Sequence, residues 1–326
     1  MCARTYRQHN IYNKISPAAG SKKSVSYIPG DLFIMSTGIL LAILTGMSWT
    51  LAGIIISRCA KEKFSLCSYS FLHTLFSGIL SFVLFSHFSF FTFSRNILFP
   101  AGIVFLAGIL NASAQFFVRL AMKKGNHAPV WAMMQCCMLF PFLAGICFFG
   151  EKTNPFTLCG IFLMLCGIIF PALKGVKKIR EYFLPAWIAL LLFGASQILY
   201  LVCSCIKSFS DPAVLRPALV CFGNMTAWSI LIKLEEKKWE WNRKIFLLAF
   251  VMAFVHAGGL YIFFKALDLL SMAGKGNIAI PLIMGSNIGM FSLYGFLILR
   301  QKNSFMEILA IFAILAGLIF SALGSA

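Results

Sequence analysis

Amide, hydroxyl, imidazole and indole side chains interrupt several long apolar runs of this chain. Asn111, Gln115 and Arg119 recur at i, i+4 and i+8, so they lie along one face of a helix. Amide groups both donate and accept hydrogen bonds, and burying them without partners is costly. We interpret the stripe as one wall of a central cavity that hydrogen-bonds a small polar molecule. The alternative is hydrogen bonding between helices without any ligand.

Other polar and aromatic residues fall within the remaining apolar runs. Some occur in pairs: Trp131 and Gln135 are four residues apart and offer a stacking face and an amide. We predict that the substrate-binding residues are Ser48, Trp49, Asn111, Gln115, Trp131, Gln135, Gln197, Tyr200, His256, Tyr261, Lys265, Ser286 and Asn287. No catalytic or metal-binding residue and no cofactor is expected, because no metal-ligand or nucleophile motif appears.

Ionisable groups in the middle of apolar runs are few. His73 and His256 are the clearest, and both can titrate near neutral pH. No Asp or Glu lies at such a position, which argues against proton coupling through a carboxylate. Exchange, facilitated diffusion or histidine-linked proton coupling remain open. Arg119 and Lys265 would favour a substrate with a carboxylate or phosphate, although both side chains could instead reach the membrane surface.

The composition excludes a soluble protein. Of the 326 residues, 60% are hydrophobic and 12% are charged, and the mean hydropathy is +0.87. A water-soluble core cannot hide that much apolar surface. The formal net charge of +18 comes largely from Lys and Arg at the ends of apolar runs, where they meet lipid headgroups rather than nucleic acid.

Ten apolar runs are long enough to span a bilayer and read as helices, because no period-2 alternation is present. Turn chemistry agrees at two ends: Asn154-Pro155 predicts an N-cap, and Ser304 with Glu307 predicts a capping box. The fold class is therefore an all-α polytopic membrane protein with ten transmembrane helices. The runs cover residues 33–56, 65–86, 98–121, 127–149, 155–173, 184–206, 212–233, 244–264, 277–299 and 305–323.

The two halves of the chain repeat each other. Residues 107–173 align with 257–323 at a constant offset of 150, with 17 identities in 67 positions that include matched Gly and Lys. Asn111 then corresponds to Tyr261 and Gln115 to Lys265, so we expect two facing polar walls. Five spans per half is an odd number, which turns the second copy over. This predicts an inverted repeat with the binding site between the halves, as in many secondary transporters.

The segment Phe148-Phe149-Gly150-Glu151-Lys152-Thr153-Asn154, followed by Gly160 and Gly167, resembles the EamA-like branch of the drug/metabolite transporter superfamily. Gly46-Met47-Ser48-Trp49 is similar to the opening helix of that family. The second half departs from the pattern, since Gln301 replaces the Glu and Ala310 replaces the Gly. The resemblance spans nearly all of 33–323 and implies a ten-helix permease for small metabolites, without fixing the substrate.

These observations predict a secondary transporter of a small polar metabolite, such as an amino acid or a nucleoside-like or anionic compound. A multi-pass channel or scaffold is the alternative, and an enzyme is not expected. The domains are a mobile basic tail (1–32) and two five-helix repeats (33–175 and 184–326). We expect a location in the cell membrane as a monomer or weak homodimer, partners limited to substrate and lipid, and no nucleic acid. Counts of Lys and Arg place both termini outside, whereas the family resemblance places them inside; we favour inside.

Overall fold

The structure is a computed structural model, which describes residues 29–61, 65–85, 95–124, 130, 133–173, 179–205, 215–235, 239, 242–297 and 305–324. Regular structure in these ranges is helical. Ten α-helices follow in chain order, namely α1 (Pro29–Lys61), α2 (Leu66–Phe85), α3 (Arg95–Lys124), α4 (Leu139–Phe149), α5 (Pro155–Leu173), α6 (Ile179–Cys205), α7 (Arg216–Glu235), α8 (Arg243–Met272), α9 (Ala279–Leu297) and α10 (Phe305–Leu323). Short 3-10 turns, Cys136–Met138 and Gly276–Ile278, lead into α4 and α9.

The helices coincide with the ten predicted runs, mostly within a few residues at each end. Seven of the described helical segments are long and apolar enough to cross a membrane, and three shorter apolar segments lie in α4, α5 and α10. An apolar helix satisfies its own backbone hydrogen bonds and exposes side chains to lipid. The described part of the chain is thus all-helical and has the character of a multi-pass membrane protein. Residues 1–28 of the predicted basic tail lie outside the described residues.

Side-chain capping fixes the start of α5. The Asn154 Oδ1 atom accepts a hydrogen bond from the Thr157 backbone N–H at 2.8 Å, which confirms the predicted N-cap. The Asn154 Nδ2 atom also donates to the Gly324 carbonyl at 2.6 Å, so the same residue ties the start of α5 to the end of α10. The predicted capping box of Ser304 and Glu307 involves a residue outside the described ranges.

Neighbouring helices come mostly from opposite halves of the chain. The sequence of packed neighbours is α4, α6, α3, α7, α2, α8, α1, α9, α10 and α5, and the loop 150–154 joins α5 back to α4. Helices of the first half (α1–α5) therefore alternate with those of the second half (α6–α10) along most of this arrangement. The halves interleave, and they do not form two separate lobes that face each other.

Glycines bring α5 and α10 into close contact. A Cβ atom at Gly160 would lie 2.6 Å from the Gly317 carbonyl oxygen, and one at Gly167 would lie 2.7 Å from the Ala310 carbonyl oxygen. Adding 150 to 160 and 167 gives 310 and 317, so the two contacts exchange when the two halves are swapped. Such reciprocal contacts are typical of a two-fold relationship between packed elements.

Candidate functional site

The interior face of α3 carries the predicted amide pair. Gln115 Nε2 donates a hydrogen bond to Asn111 Oδ1 at 2.7 Å. Both residues lie at helical spacing with buried Val104, Ala107 and Val118, whereas the exposed Leu106 lies on the opposite side. Gln115 is nevertheless exposed. A residue that is exposed on the buried face of a helix faces an internal space, so Gln115 lines an opening into the bundle.

Helix α6 contributes two buried groups without hydrogen-bond partners. Gln197 is fully buried, and neither of its amide atoms is bonded within the described structure. The Tyr200 hydroxyl is also buried and makes no hydrogen bond of normal geometry, although Ser196 and Asn111 lie close enough to interact with it. Ser196 instead donates to the Ala107 carbonyl at 2.9 Å. Buried polar atoms are normally paired, so these groups are candidates for binding water or a ligand.

Aromatic rings pack beside these groups. Tyr200 contacts Phe263 and Phe264 of α8, with ring centroids 5.5 and 5.6 Å apart. Trp49 of α1 lies 5.4 Å from Phe263. The cluster brings together α1, α6 and α8 and gives the interior a flat apolar surface next to its amides. Such a surface suits a ring that both stacks and hydrogen-bonds.

The remaining predicted residues divide by their contacts. Ser48 donates to the Thr45 carbonyl at 2.8 Å and packs beside Gly259. Ser286 Oγ donates to the Ile43 carbonyl of α1 at 3.4 Å, and Asn287 Oδ1 accepts from Thr50 of α1 at 3.3 Å; these two residues therefore bind α1 to α9. Gln135 is buried, with its Oε1 atom unpaired in the described structure. Trp131 lies outside the described residues.

Tyr261 and Lys265 do not form a second polar wall. Both are exposed, and both lie on the side of α8 opposite Phe263, which faces the aromatic cluster. Tyr261 stacks on Phe85 at 4.4 Å. The expected correspondence with Asn111 and Gln115 therefore fails in orientation.

A difference of one residue accounts for this result. The buried residues Val104, Val118 and Ala121 of α3 match the buried residues Ala253, Leu267 and Leu270 of α8 at an offset of 149. The sequence alignment gave 150. One residue turns a side chain by about 100° around a helix, so the wrong offset places interior residues on the outer face.

The cations expected near the substrate are also engaged or directed elsewhere. Arg119 donates to the Cys67 sulfur at 2.8 Å, which joins α3 to the start of α2. Lys265 is exposed on the outer face of α8. His256 meets His73 and Ser77 at the contact between α2 and α8. The described groups around Tyr200 are amides, hydroxyls, aromatic rings and the thiols of Cys203 and Cys221.

Glu151 closes one end of the bundle. Its carboxylate accepts hydrogen bonds from the backbone N–H groups of Gly276 (2.9 Å) and Asn277, at the turn that opens α9. Such N–H groups at a helix start lack partners within the helix and attract negative charge. Gly145 and Gly276 make room, because Cβ atoms there would lie 2.7 and 2.8 Å from the carboxylate oxygens.

Burial raises the pKa of Glu151, while its hydrogen bonds to Asn277, Gly276 and Cys205 and the charge of Lys275 act in the opposite direction. The ends of α4, α6 and α8 meet the start of α9 around this carboxylate. We call this region the Glu151 latch, defined by Glu151, Cys205, Ser271, Gly276 and Asn277. The position of Glu151 in a loop would favour local capping or solvation, whereas its carboxylate caps the start of a helix in the other half of the chain.

A buried ion pair beside the latch was also missed. Arg216, fully buried at the start of α7, pairs with Asp268 of α8 and donates to Ser204 Oγ at 2.8 Å. Its guanidinium lies 4.9 Å from the centre of the Phe264 ring. The spacing of Lys265 and Asp268 along one helix would favour a local ion pair, but the tertiary structure brings Arg216 to Asp268 instead. The pair fixes α6, α7 and α8 together.

The described interior offers hydrogen-bonding and stacking groups. They are the side chains of Asn111, Gln115, Gln197 and Tyr200 together with the neighbouring aromatic rings. Pockets that hold small molecules combine a few polar groups with apolar and aromatic surface in this way. No group of three or more His, Cys, Asp or Glu residues that could hold a metal occurs among the described residues.

Comparison with known proteins agrees with this description. Residues 36–173 match the EamA-like transporter family, which confirms the resemblance seen in the sequence. No curated protein matches the chain. Among solved structures, 28 chains match. One crystal structure of a protein aligns with a TM-score of 0.70 at 15% identity, covering 88% of this chain and 98% of that one, and therefore shows a shared fold.

Proposed function

We propose that this protein is a secondary transporter for a small polar metabolite. Residues 36–173 match the EamA-like transporter family, whose members are membrane transporters and not enzymes. The observation that carries the proposal is the set of buried polar atoms without partners on α6, beside the Asn111–Gln115 pair and the aromatic cluster. A substrate would supply the missing hydrogen bonds while it occupies the interior, and would lose them on leaving.

The proposed substrate is uncharged or zwitterionic and carries a flat ring or a similar apolar face. Amide and hydroxyl groups hydrogen-bond to such a compound, and Trp49, Tyr200 and Phe263 provide surfaces for stacking. A nucleoside-like compound or an aromatic amino acid fits this chemistry. The engagement of Arg119 with Cys67 and the outward position of Lys265 weigh against the anionic substrate considered from the sequence.

Alternating access follows from an interior that is closed at one end. The Glu151 latch holds the ends of α4, α6 and α8 against α9, while Gln115, toward the other end of α3, is exposed on an interior face. This state admits substrate from the Gln115 end. In the complementary state the latch would part and the Gln115 end would close, so that the substrate leaves on the other side.

In this proposal, two inverted repeats, 33–175 and 184–326, make the two conformations related by symmetry. The reciprocal Gly160–Gly317 and Gly167–Ala310 contacts support the repeat, as does the alternation of helices from the two halves in the packing. We place the protein in the cell membrane as a monomer or weak dimer, with both termini on the cytoplasmic side. Its partners in this proposal are lipid and the transported compound.

Uptake into proteoliposomes tests the proposal. Purified protein is reconstituted and offered radiolabelled amino acids and nucleosides one at a time, with empty liposomes as the control. Saturable uptake that accelerates when the same unlabelled compound is loaded inside supports a carrier. Flux that rises linearly with concentration would indicate a channel, and no flux above empty liposomes for any compound would reject transport of these two classes.

A further inference from the structure

Two histidines meet where α2 contacts α8, within the membrane-spanning part of the bundle. The ring centroids of His73 and His256 are 4.6 Å apart, with an angle of 35° between the rings. Tyr69 stacks on His73, with its ring centroid 5.6 Å away. Apolar side chains could fill this contact without burying ring nitrogens. Two imidazoles from different halves of the chain therefore call for a role beyond packing.

The hydrogen bonds around the pair leave basic nitrogen atoms available. Ser77 Oγ donates to the His73 carbonyl at 2.7 Å, so it accepts from His256 Nδ1, 3.2 Å away. A neutral imidazole that donates through Nδ1 keeps its lone pair on Nε2. The Nε2 atom of His73 is buried and has no hydrogen-bond partner in the described structure, while the Met252 backbone bonds to the His73 ring.

The charged groups around the pair are occupied elsewhere. Arg119 of α3 donates to Cys67 near the start of α2, and Asp268 of α8 pairs with Arg216 three turns away from His256. The other titratable neighbours are Tyr69 on α2 and Cys221 of α7, which packs beside Gly78. No described carboxylate neutralises a charge on the imidazoles. One imidazolium is therefore costly here, and the repulsion of a second excludes double protonation.

We propose that His73 and His256 together form a binding site for one proton, and that this proton couples substrate transport to a pH gradient. A proton from bulk water joins the lone pair of one Nε2 atom and forms an imidazolium; release on the other side of the membrane restores the neutral pair. The inference rests on the proposed transport function, to which it adds the coupling ion.

Helix α8 connects the proton site to the substrate site. His256, Gly259 and Phe263 lie within two turns of this helix, where Gly259 packs on Ser48 and Phe263 contacts Trp49 and Tyr200. A charge buried between α2 and α8 favours a conformation in which water reaches that contact. The same movement of α8 shifts Phe263 within the aromatic cluster, so proton binding and substrate access change together.

Nitrogen-15 NMR of histidine-labelled protein in phospholipid vesicles tests the site with the proton itself as the ligand. Between about pH 4 and 8, the wild-type protein shows, besides the signals of His9, His87 and His127, one further imidazolium signal that disappears in both His73→Gln and His256→Gln. His9→Gln, which changes the same side chain outside the pair, keeps the signal. The proposal is overturned if no titrating signal depends on either residue, or if each variant removes a separate, independent titration.

Thermal unfolding provides a second measurement that needs no substrate. Acid should lower the Tm of the wild-type protein by charging the contact between α2 and α8, and the double variant His73→Gln/His256→Gln should lose at least half of that fall. An equal acid-induced fall in both proteins would contradict the proposal. Because both measurements use the protein alone, their failure is distinct from a failure of transport in the uptake assay.

Discussion

At the scale of single residues, unpaired buried atoms are the strongest guide to the site. Among the described residues, Gln197 and Tyr200 hold buried polar atoms that make no hydrogen bond of normal geometry, and each costs free energy in an apolar interior. Asn277 and Asn224 carry similar unpaired atoms but were absent from the sequence-based set. Their signal in the sequence was only an Asn inside an apolar run, which most often indicates hydrogen bonding between helices.

Replacing Gln115 with Leu should reduce uptake at least about tenfold, because one lost hydrogen bond of about 1.4 kcal/mol changes binding by that factor. Lys265→Leu, the counterpart in the sequence alignment, should transport like the wild type because its side chain lies on the outer face of α8. Initial uptake rates in proteoliposomes, normalised to inserted protein, measure both. If Lys265→Leu loses uptake while Gln115→Leu transports normally, the assignment of the interior face would be reversed.

Tyr200→Phe separates a role in binding from a role in folding. The variant removes an unpaired hydroxyl and keeps the ring contacts with Phe263 and Phe264, so Tm should stay unchanged or rise. If the hydroxyl binds substrate, KM should increase about tenfold. Concentration-dependent uptake and a thermal melt are the two measurements. A normal KM would remove Tyr200 from the site.

At the scale of elements, glycines set how closely the helices approach. A Cβ atom at Gly46 of α1 would lie 1.8 Å from Ser286 Oγ and 2.5 Å from the Ile283 carbonyl of α9. The backbone carbonyl cannot turn aside as a flexible side chain can. Small residues at such contacts let helices pack without an aqueous hydrophobic driving force.

We expect Gly46→Ala to lower the free energy of unfolding by about 1–3 kcal/mol through overpacking. Gly102→Ala in α3 is the matched control, because nothing lies within 4 Å of a Cβ there. The free energy of unfolding of that control should stay unchanged or increase by up to about 1 kcal/mol, because Ala restricts the unfolded chain. Melts in detergent compare the two variants. Equal destabilisation would show that the α1–α9 distance is not set by Gly46.

At the scale of the whole molecule, interleaving of the halves makes the latch a contact between them. Glu151 belongs to the first half and its partners Gly276 and Asn277 to the second, so separating the helices at that end must break these bonds. At the offset of 150 found in the sequence, Gln301 is the counterpart of Glu151. The two halves therefore differ chemically at this position, because only the first carries an ionisable group there.

This asymmetry predicts a pH effect on stability. Burial raises the pKa of Glu151, so the folded protein binds its proton more tightly than the unfolded chain does. The stability contributed by the protonated form is full below the ordinary Glu pKa and is lost as the pH rises through the raised value. Glu151→Gln should flatten this part of the curve of Tm against pH. If the variant keeps the slope of the wild-type protein, Glu151 is not the cause of the pH dependence.

The sequence determined that this is a helical, multi-pass membrane protein, because hydrophobic length and the need to satisfy backbone hydrogen bonds act locally along the chain. It also located the N-cap at Asn154 and the similarity between α5 and α10, which depend on short-range patterns. Candidates on α3 and α6 could be named because polar residues in apolar runs are visible without coordinates.

Only the tertiary structure decided which faces of the helices meet. A one-residue error in the alignment of α3 with α8 turns side chains by about 100°, and this moved Tyr261 and Lys265 to the outer face. The contacts of Glu151 with α9, of Arg216 with Asp268 and of His73 with His256 join residues 52 or more positions apart. Such contacts arise from how the helices interleave, and packing of that kind leaves no periodic signal in any single segment.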